Sequence, residues 1–143
     1  MIKATELRLN NLLQYENEVA PVNAIWSNGN YELHSDVLQF WTIEAGDELV
    51  TGIPLTPEWL ERFGFLKDGF GAYNKDISNF EGEFKTLSFS GDYLYIRQGN
   101  KENGREGDDL VSLWNKDLMR VFYVHQLQNL YYALTGEELT LNQ

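Results

Sequence analysis

Two histidines, six serines and four acid pairs are the side chains here that could carry reactive chemistry. His34 and His125 stand far apart, and neither lies in the H-x-x-x-H spacing that puts two imidazoles on one helix face for a metal ion. His125 falls where a strand is expected to give way to a helix, a place where an imidazole caps or packs. The acid pairs are Asp47-Glu48, Glu81-x-Glu83, Asp108-Asp109 and Glu137-Glu138. A two-carboxylate hydrolysis needs acids facing each other across one cleft, which neighbours in a loop rarely do. Asp108-Asp109 lacks the EF-hand pattern around it that tight calcium binding requires. No serine sits in G-x-S-x-G, and no glycine run forms a phosphate or dinucleotide loop. Tyr93, Tyr95 and Arg97 could stack bases from a strand, but the acidic surroundings oppose a nucleic acid. The sequence therefore offers no catalytic residue, no metal-ligand set and no cofactor site, and a non-enzymatic role is expected. What remains is recognition. Gln126, Gln128, Asn129 and Tyr132 bring uncharged polar groups to one helix, a composition suited to a protein contact. With the carboxylates of Asp108, Asp109, Glu16 and Glu18 they make up the candidate protein interface.

The elements that must position these groups follow from patterning. Leu12–Tyr15 and Val19–Trp26 are strand runs around a Glu16-Asn17-Glu18 turn. Asn28-Gly29 is a hairpin signal leading into Tyr31–Leu33, and Val37–Ile43 is a further strand. Thr56 caps a helix over about 56–64, with Pro57 at its first position and Gly64 past its end. Strands are expected at Phe70–Tyr73, Phe84–Phe89 and Tyr93–Gln98, the last two joined by Ser90-Gly91-Asp92. Leu110–Trp114 and Met119–Val124 read as an antiparallel pair around Asn115-Lys116-Asp117. Leu127, Leu130, Tyr131 and Leu134 recur at helical spacing, so a C-terminal helix covers about 125–135 and stops at Gly136. Gly99 to Asp109 has no apolar residue and reads as a mobile surface loop. The expected fold is α+β: a small, mainly antiparallel, curled or barrel-like β-structure with one mid-chain and one C-terminal helix. Residues 1–143 are expected to form a single domain, strand-rich over 1–50.

Composition narrows the partners. The chain has 143 residues and no cysteine, so disulfides and thiolate chemistry are excluded. A reducing compartment is expected. No signal-peptide core is apparent at the N-terminus, and no apolar run approaches the roughly 18 residues of a membrane span. The net charge is −11, and residues 1–50 hold eight acids against two bases, a local charge of −6. Such a field repels nucleic acid and favours basic partners.

Three blocks carry a resemblance. They are Leu7-Arg8-Leu9-Asn10-Asn11-Leu12; Ile53-Pro54-Leu55-Thr56-Pro57-Glu58-Trp59-Leu60 with Phe63-Gly64-Phe65; and Tyr123-Val124-His125-Gln126-Leu127-Gln128-Asn129-Leu130-Tyr131 with Leu134-Thr135-Gly136-Glu137-Glu138-Leu139. Together they resemble an uncharacterised family of small phage, prophage and mobile-element proteins of Bacteroidota, which often has a glycine where this chain has Asn10. The resemblance spans most of the chain, and its last block is the most specific part. It brings no catalytic residue. It implies a setting in the cytoplasm of a bacterial host and an accessory role there. On that basis the protein is expected to bind a host protein with a basic surface, most sharply a nucleic-acid immunity nuclease that it inhibits, as anti-CRISPR proteins do. The alternatives are a phage structural or assembly protein, which would self-associate, and a small nucleotide-binding or hydrolytic domain, which would need a deep cleft.

Overall fold

Runs of alternating apolar residues, cut every few positions by turn formers, build the described residues of this α+β protein as two antiparallel sheets and two helices. The computed structural model describes residues 2–77, 83–90, 93–100 and 121–142. These fall into two compact units. The first comprises Met1–Pro54 and Tyr123–Glu138, and the second Leu55–Phe122 and Leu139–Gln143. The chain thus passes from one unit to the other without the Gly- or Ser-rich linker by which a boundary shows in sequence.

The first unit opens with a 3-10 turn at Ala4–Glu6 and continues through β1 (Leu12–Tyr15), β2 (Glu18–Ile25), β3 (Tyr31–Ser35), β4 (Gln39–Ile43) and β5 (Val50–Thr51). Their order is β4-β3-β2-β1-β5, all antiparallel. A register shift between Val22 and Ala24 curls the sheet, as a bulge does. Leu13, Val22, Tyr31, Leu33, Ile43 and Val50 project from its concave side into one buried cluster. Helix α2 (Val124–Thr135) belongs to this unit. It ends at Gly136, whose φ of 74° is the left-handed conformation glycine adopts at least cost.

The second unit holds α1 (Pro57–Arg62) and the sheet β6-β7-β8-β9, formed by Leu66–Lys67, Tyr73–Asp76, Glu83–Ser90 and Tyr93–Asn100. The Thr56 hydroxyl accepts from Trp59 N at 3.4 Å, and Pro57 occupies the first turn. Gly64, at φ 87°, lets Gly64 N and Phe65 N return to Glu61 O and Leu60 O, both at 3.0 Å, which seats Phe65 in the core. Phe65 meets Phe89 edge to face at 5.8 Å.

Several boundaries depart from the patterning. Phe70 is no strand residue. Asp68 Oδ1 accepts from Phe70 N at 2.8 Å and Ala72 N at 3.0 Å, a local alternative to the ladder that leaves Phe70 99% exposed and delays β7 to Tyr73. Val37 and Leu38 lie in the turn before β4, where the Ser35 hydroxyl accepts from Leu38 N at 2.9 Å. The strand expected to reach Val124 is absent over 121–124. Val121 and Phe122 are irregular, Tyr123 forms one bridge with Pro54, and Val124 opens α2. Residues 101–120, including the expected strand Leu110–Trp114, the start of its partner at Met119 and most of the expected loop, lie outside the described residues.

Candidate functional site

Two amides of α2, Gln128 and Asn129, are turned onto the opening segment of the chain. Gln128 is only 3% exposed. Its Oε1 accepts from Leu12 N at 2.8 Å, and its Nε2 donates to Asn10 O at 3.2 Å. Asn129 Nδ2 donates to Glu6 O at 2.9 Å, while its Oδ1 accepts from Asn11 Nδ2 at 2.8 Å. Asn11 is fully buried and accepts on Oδ1 from Arg8 N at 2.8 Å. Arg8 lies over the ring of Tyr132 at 3.7 Å and pairs with Glu138. Asn10 holds φ 73°, a left-handed conformation that Asn tolerates better than most residues. The opening and closing motif blocks are thereby one structural assembly.

This placement redistributes the candidate interface. Gln128 and Asn129 are engaged within the unit, and their amides suit bonding to buried backbone, whereas Tyr132 remains 41% exposed beneath Arg8. Gln126 Oε1 accepts from Tyr123 N at 3.1 Å, capping the helix in the role expected of His125. Glu16 is exposed in the β1–β2 turn at φ 52°, and Glu18 is half-buried at the start of β2. Asp108 and Asp109 lie outside the described residues.

Beside this assembly lies a cleft of about 700 Å³, entirely within the first unit. Ile2, Val50 and Pro54 supply its apolar lining. Gln14, Thr51 and Gln126 add hydrogen-bonding groups, and Glu6 and Glu48 add carboxylates. Tyr123 forms a further wall and stacks on His125 at 5.8 Å with 16° between the rings. Gly52 makes this close approach possible, since a Cβ there would stand 2.7 Å from Tyr123 Cδ1 and 3.1 Å from His125 Cε1.

His125 has a more specific environment than a cap. It is the second residue of α2, 1% exposed, with neither ring nitrogen in a hydrogen bond. Its Nε2 lies 3.4 Å from Glu6 Oε1. Burial pulls its pKa below the usual histidine value, and the Glu6 carboxylate opposes that shift without reversing it. Unfolded, the imidazole titrates near about 6.5. Below that pH the unfolded chain binds the proton more readily than the folded one, so stability is complete above this value and falls with pH toward the lower folded pKa. The loss is at most about 1.4 kcal/mol per pH unit from this one proton. Urea midpoints at pH 7.5 and pH 5.5 should therefore differ in the native chain, with a smaller difference in His125→Gln. An unchanged difference in the variant would assign the slope elsewhere.

Tyr31 is another buried titratable group. Burial, reinforced by Asp47 and Glu6, pushes its hydroxyl up to about 12, and that hydroxyl has no hydrogen-bond partner. The sheet carrying these groups has seven carboxylates and no Lys or Arg between Leu12 and Thr51. Among the described residues no three His, Asp or Glu side chains converge as metal ligands, and no helix is long and apolar enough to cross a membrane. No protein-family model matches the chain, and no curated protein and no solved structure is significantly similar to it. The reading of function therefore rests on the site itself.

Proposed function

We propose that the first unit is a non-enzymatic binding module for a basic protein surface. The observation that carries this reading is the five-stranded sheet with its connecting turns, which hold seven carboxylates and no Lys or Arg, beside a cleft lined by Glu6 and Glu48. Such a field steers a cationic partner toward the cleft and rejects phosphate backbones. The resemblance to mobile-element proteins sharpens the partner to a host nucleic-acid immunity nuclease, whose basic channel an acidic protein would occupy as an inhibitor. A tagged chain should retain one basic host protein from a bacterial lysate after nuclease treatment. It should lose that protein at high salt, where exposed charges are screened. Reversing the exposed acids Glu16 and Glu48 to lysine should weaken the complex by roughly tenfold or more at low salt, mainly by slowing association. Binding indifferent to both salt and charge reversal would overturn the proposal.

A second reading, a small hydrolytic domain, is favoured by His125 Nε2 lying 3.4 Å from the cleft-lining Glu6. It is the weaker reading, because an imidazole that is 1% exposed presents almost no surface to a substrate.

A further inference from the structure

A second, smaller cleft of about 360 Å³ in the first unit has a lining of different character. Two of its walls are aromatic. Trp41 on β4 and Tyr15 on β1 stand 6.0 Å apart with their rings inclined at 45°. The pairing of Leu33 with Trp41 sets the indole on the same side of the sheet as Leu33, at the margin of the core, and Trp41 stays 46% exposed while Tyr15 is buried. The rest of the lining comes from Thr42 and the turn after β4, which includes Glu44 and Asp47. That turn is fixed. Asp47 N donates to Glu44 O at 3.1 Å, Gly46 holds φ 90°, and Ala45 N donates to Asn30 Oδ1 at 3.0 Å. Asp47 Oδ1 accepts from Leu49 N at 2.8 Å, which orients that carboxylate. Among the described residues, neither Glu44 nor Asp47 has a cationic partner.

Two inclined aromatic faces with two carboxylates at the same opening, that of Asp47 held in place and that of Glu44 exposed, are complementary to one kind of group. An extended cation lays its alkyl stem along the rings, puts its charge over their faces and ends at the carboxylates. The cleft is near the small end of ligand-site volumes, a size suited to a side chain rather than a cofactor. We propose that this cleft is the subsite for an arginine or lysine side chain of the basic partner. The assignment rests on the binding function proposed above and gives that function a specific anchor, because such an anchor is where an interface concentrates its affinity.

The test is a titration of the full chain with N-acetylated hexa-arginine amide, read at the Trp41 indole N–H resonance by NMR. The resonance is assigned by its loss in Trp41→Leu. A matched hexa-citrulline peptide keeps the shape and removes the charge. The expected result is a saturable Trp41 shift with arginine and none with citrulline. Trp41→Leu and Glu44→Gln should each weaken binding about tenfold, in keeping with a desolvated cation–aromatic contact. Glu44 is exposed and, among the described residues, its carboxylate makes no hydrogen bond, so its variant tests charge without challenging the fold. Hexa-arginine that binds without moving Trp41, and equally well to both variants, would overturn the subsite while leaving the acidic module standing. No binding of hexa-arginine at low salt would overturn both.

Discussion

Gln128→Leu should destabilise the first unit by about 2–4 kcal/mol, although leucine is close to glutamine in volume and more apolar. On hydrophobicity alone the change should stabilise, because the position is 3% exposed in a helix face that buries Val124, Leu127 and Tyr131. The opposing term is larger. The amide answers Leu12 N–H at 2.8 Å and Asn10 C=O at 3.2 Å, two backbone groups where the chain enters β1. Leucine would leave both without that partner, and an unmet buried polar group costs about 1–3 kcal/mol. Water can reach part of Asn10, which is exposed, so the total lies below the sum of two full penalties. Urea unfolding followed by far-UV circular dichroism measures it. Gln128→Leu at or above native stability would show that the amide bonds contribute little net. Gln128→Glu should be at least as damaging, since a carboxylate cannot donate to Asn10 O and would be charged in a dry site.

That residue also shows where the sequence was legible. Capping and stop signals are local, and they marked both helices correctly: Thr56, Pro57 and Gly64 bracket α1, and Gly136 ends α2. The strands of the curled sheet were visible for the same reason, from alternation and from Asn28-Gly29, with Gly29 at φ 91°. Which face of α2 is buried was not local information. Leucine spacing pointed to Leu127, Leu130, Tyr131 and Leu134. The buried set is Val124, His125, Leu127, Gln128 and Tyr131, with Leu130 and Leu134 half-buried. The stripe is rotated because residues 6–12, more than a hundred positions away in sequence, present backbone groups that need amides opposite them. A polar residue in a helix can be read as surface until its distant partner is known. The two-residue strands β5 and β6 were hidden for a related cause. Each exists only by pairing with a longer neighbour, so neither carries a periodicity of its own. The aromatic cleft was equally out of reach, since Tyr15 and Trp41 meet only once β1 and β4 share one curved sheet.

Gly52→Val should cost about 3 kcal/mol or more, and Gly52→Ala about 1–2 kcal/mol, by overpacking rather than by backbone strain. The distinction matters because most glycines are retained for positive φ, and Gly52 is not among the positive-φ residues of this chain. Alanine there would gain some stability through a less flexible unfolded chain. The geometry opposes that gain. The new methyl would sit 2.7 Å from Tyr123 Cδ1, 2.8 Å from Tyr123 Cγ and 3.1 Å from His125 Cε1. Cγ lies one bond from Cβ, so a ring flip cannot clear it and Tyr123 must turn its whole side chain. His125 is buried behind and cannot yield. Tyr123 is partly exposed and therefore moves first, losing its stack on His125 and reshaping the 700 Å³ cleft it lines. The two substitutions thus join packing to function. Stability should fall in the order native, alanine, valine in urea titrations, and the alanine variant should bind a basic partner more weakly than its modest loss of stability explains. An alanine variant with native stability and native affinity would mean that Tyr123 has room to withdraw without consequence, and the cleft would lose its claim to be the binding face.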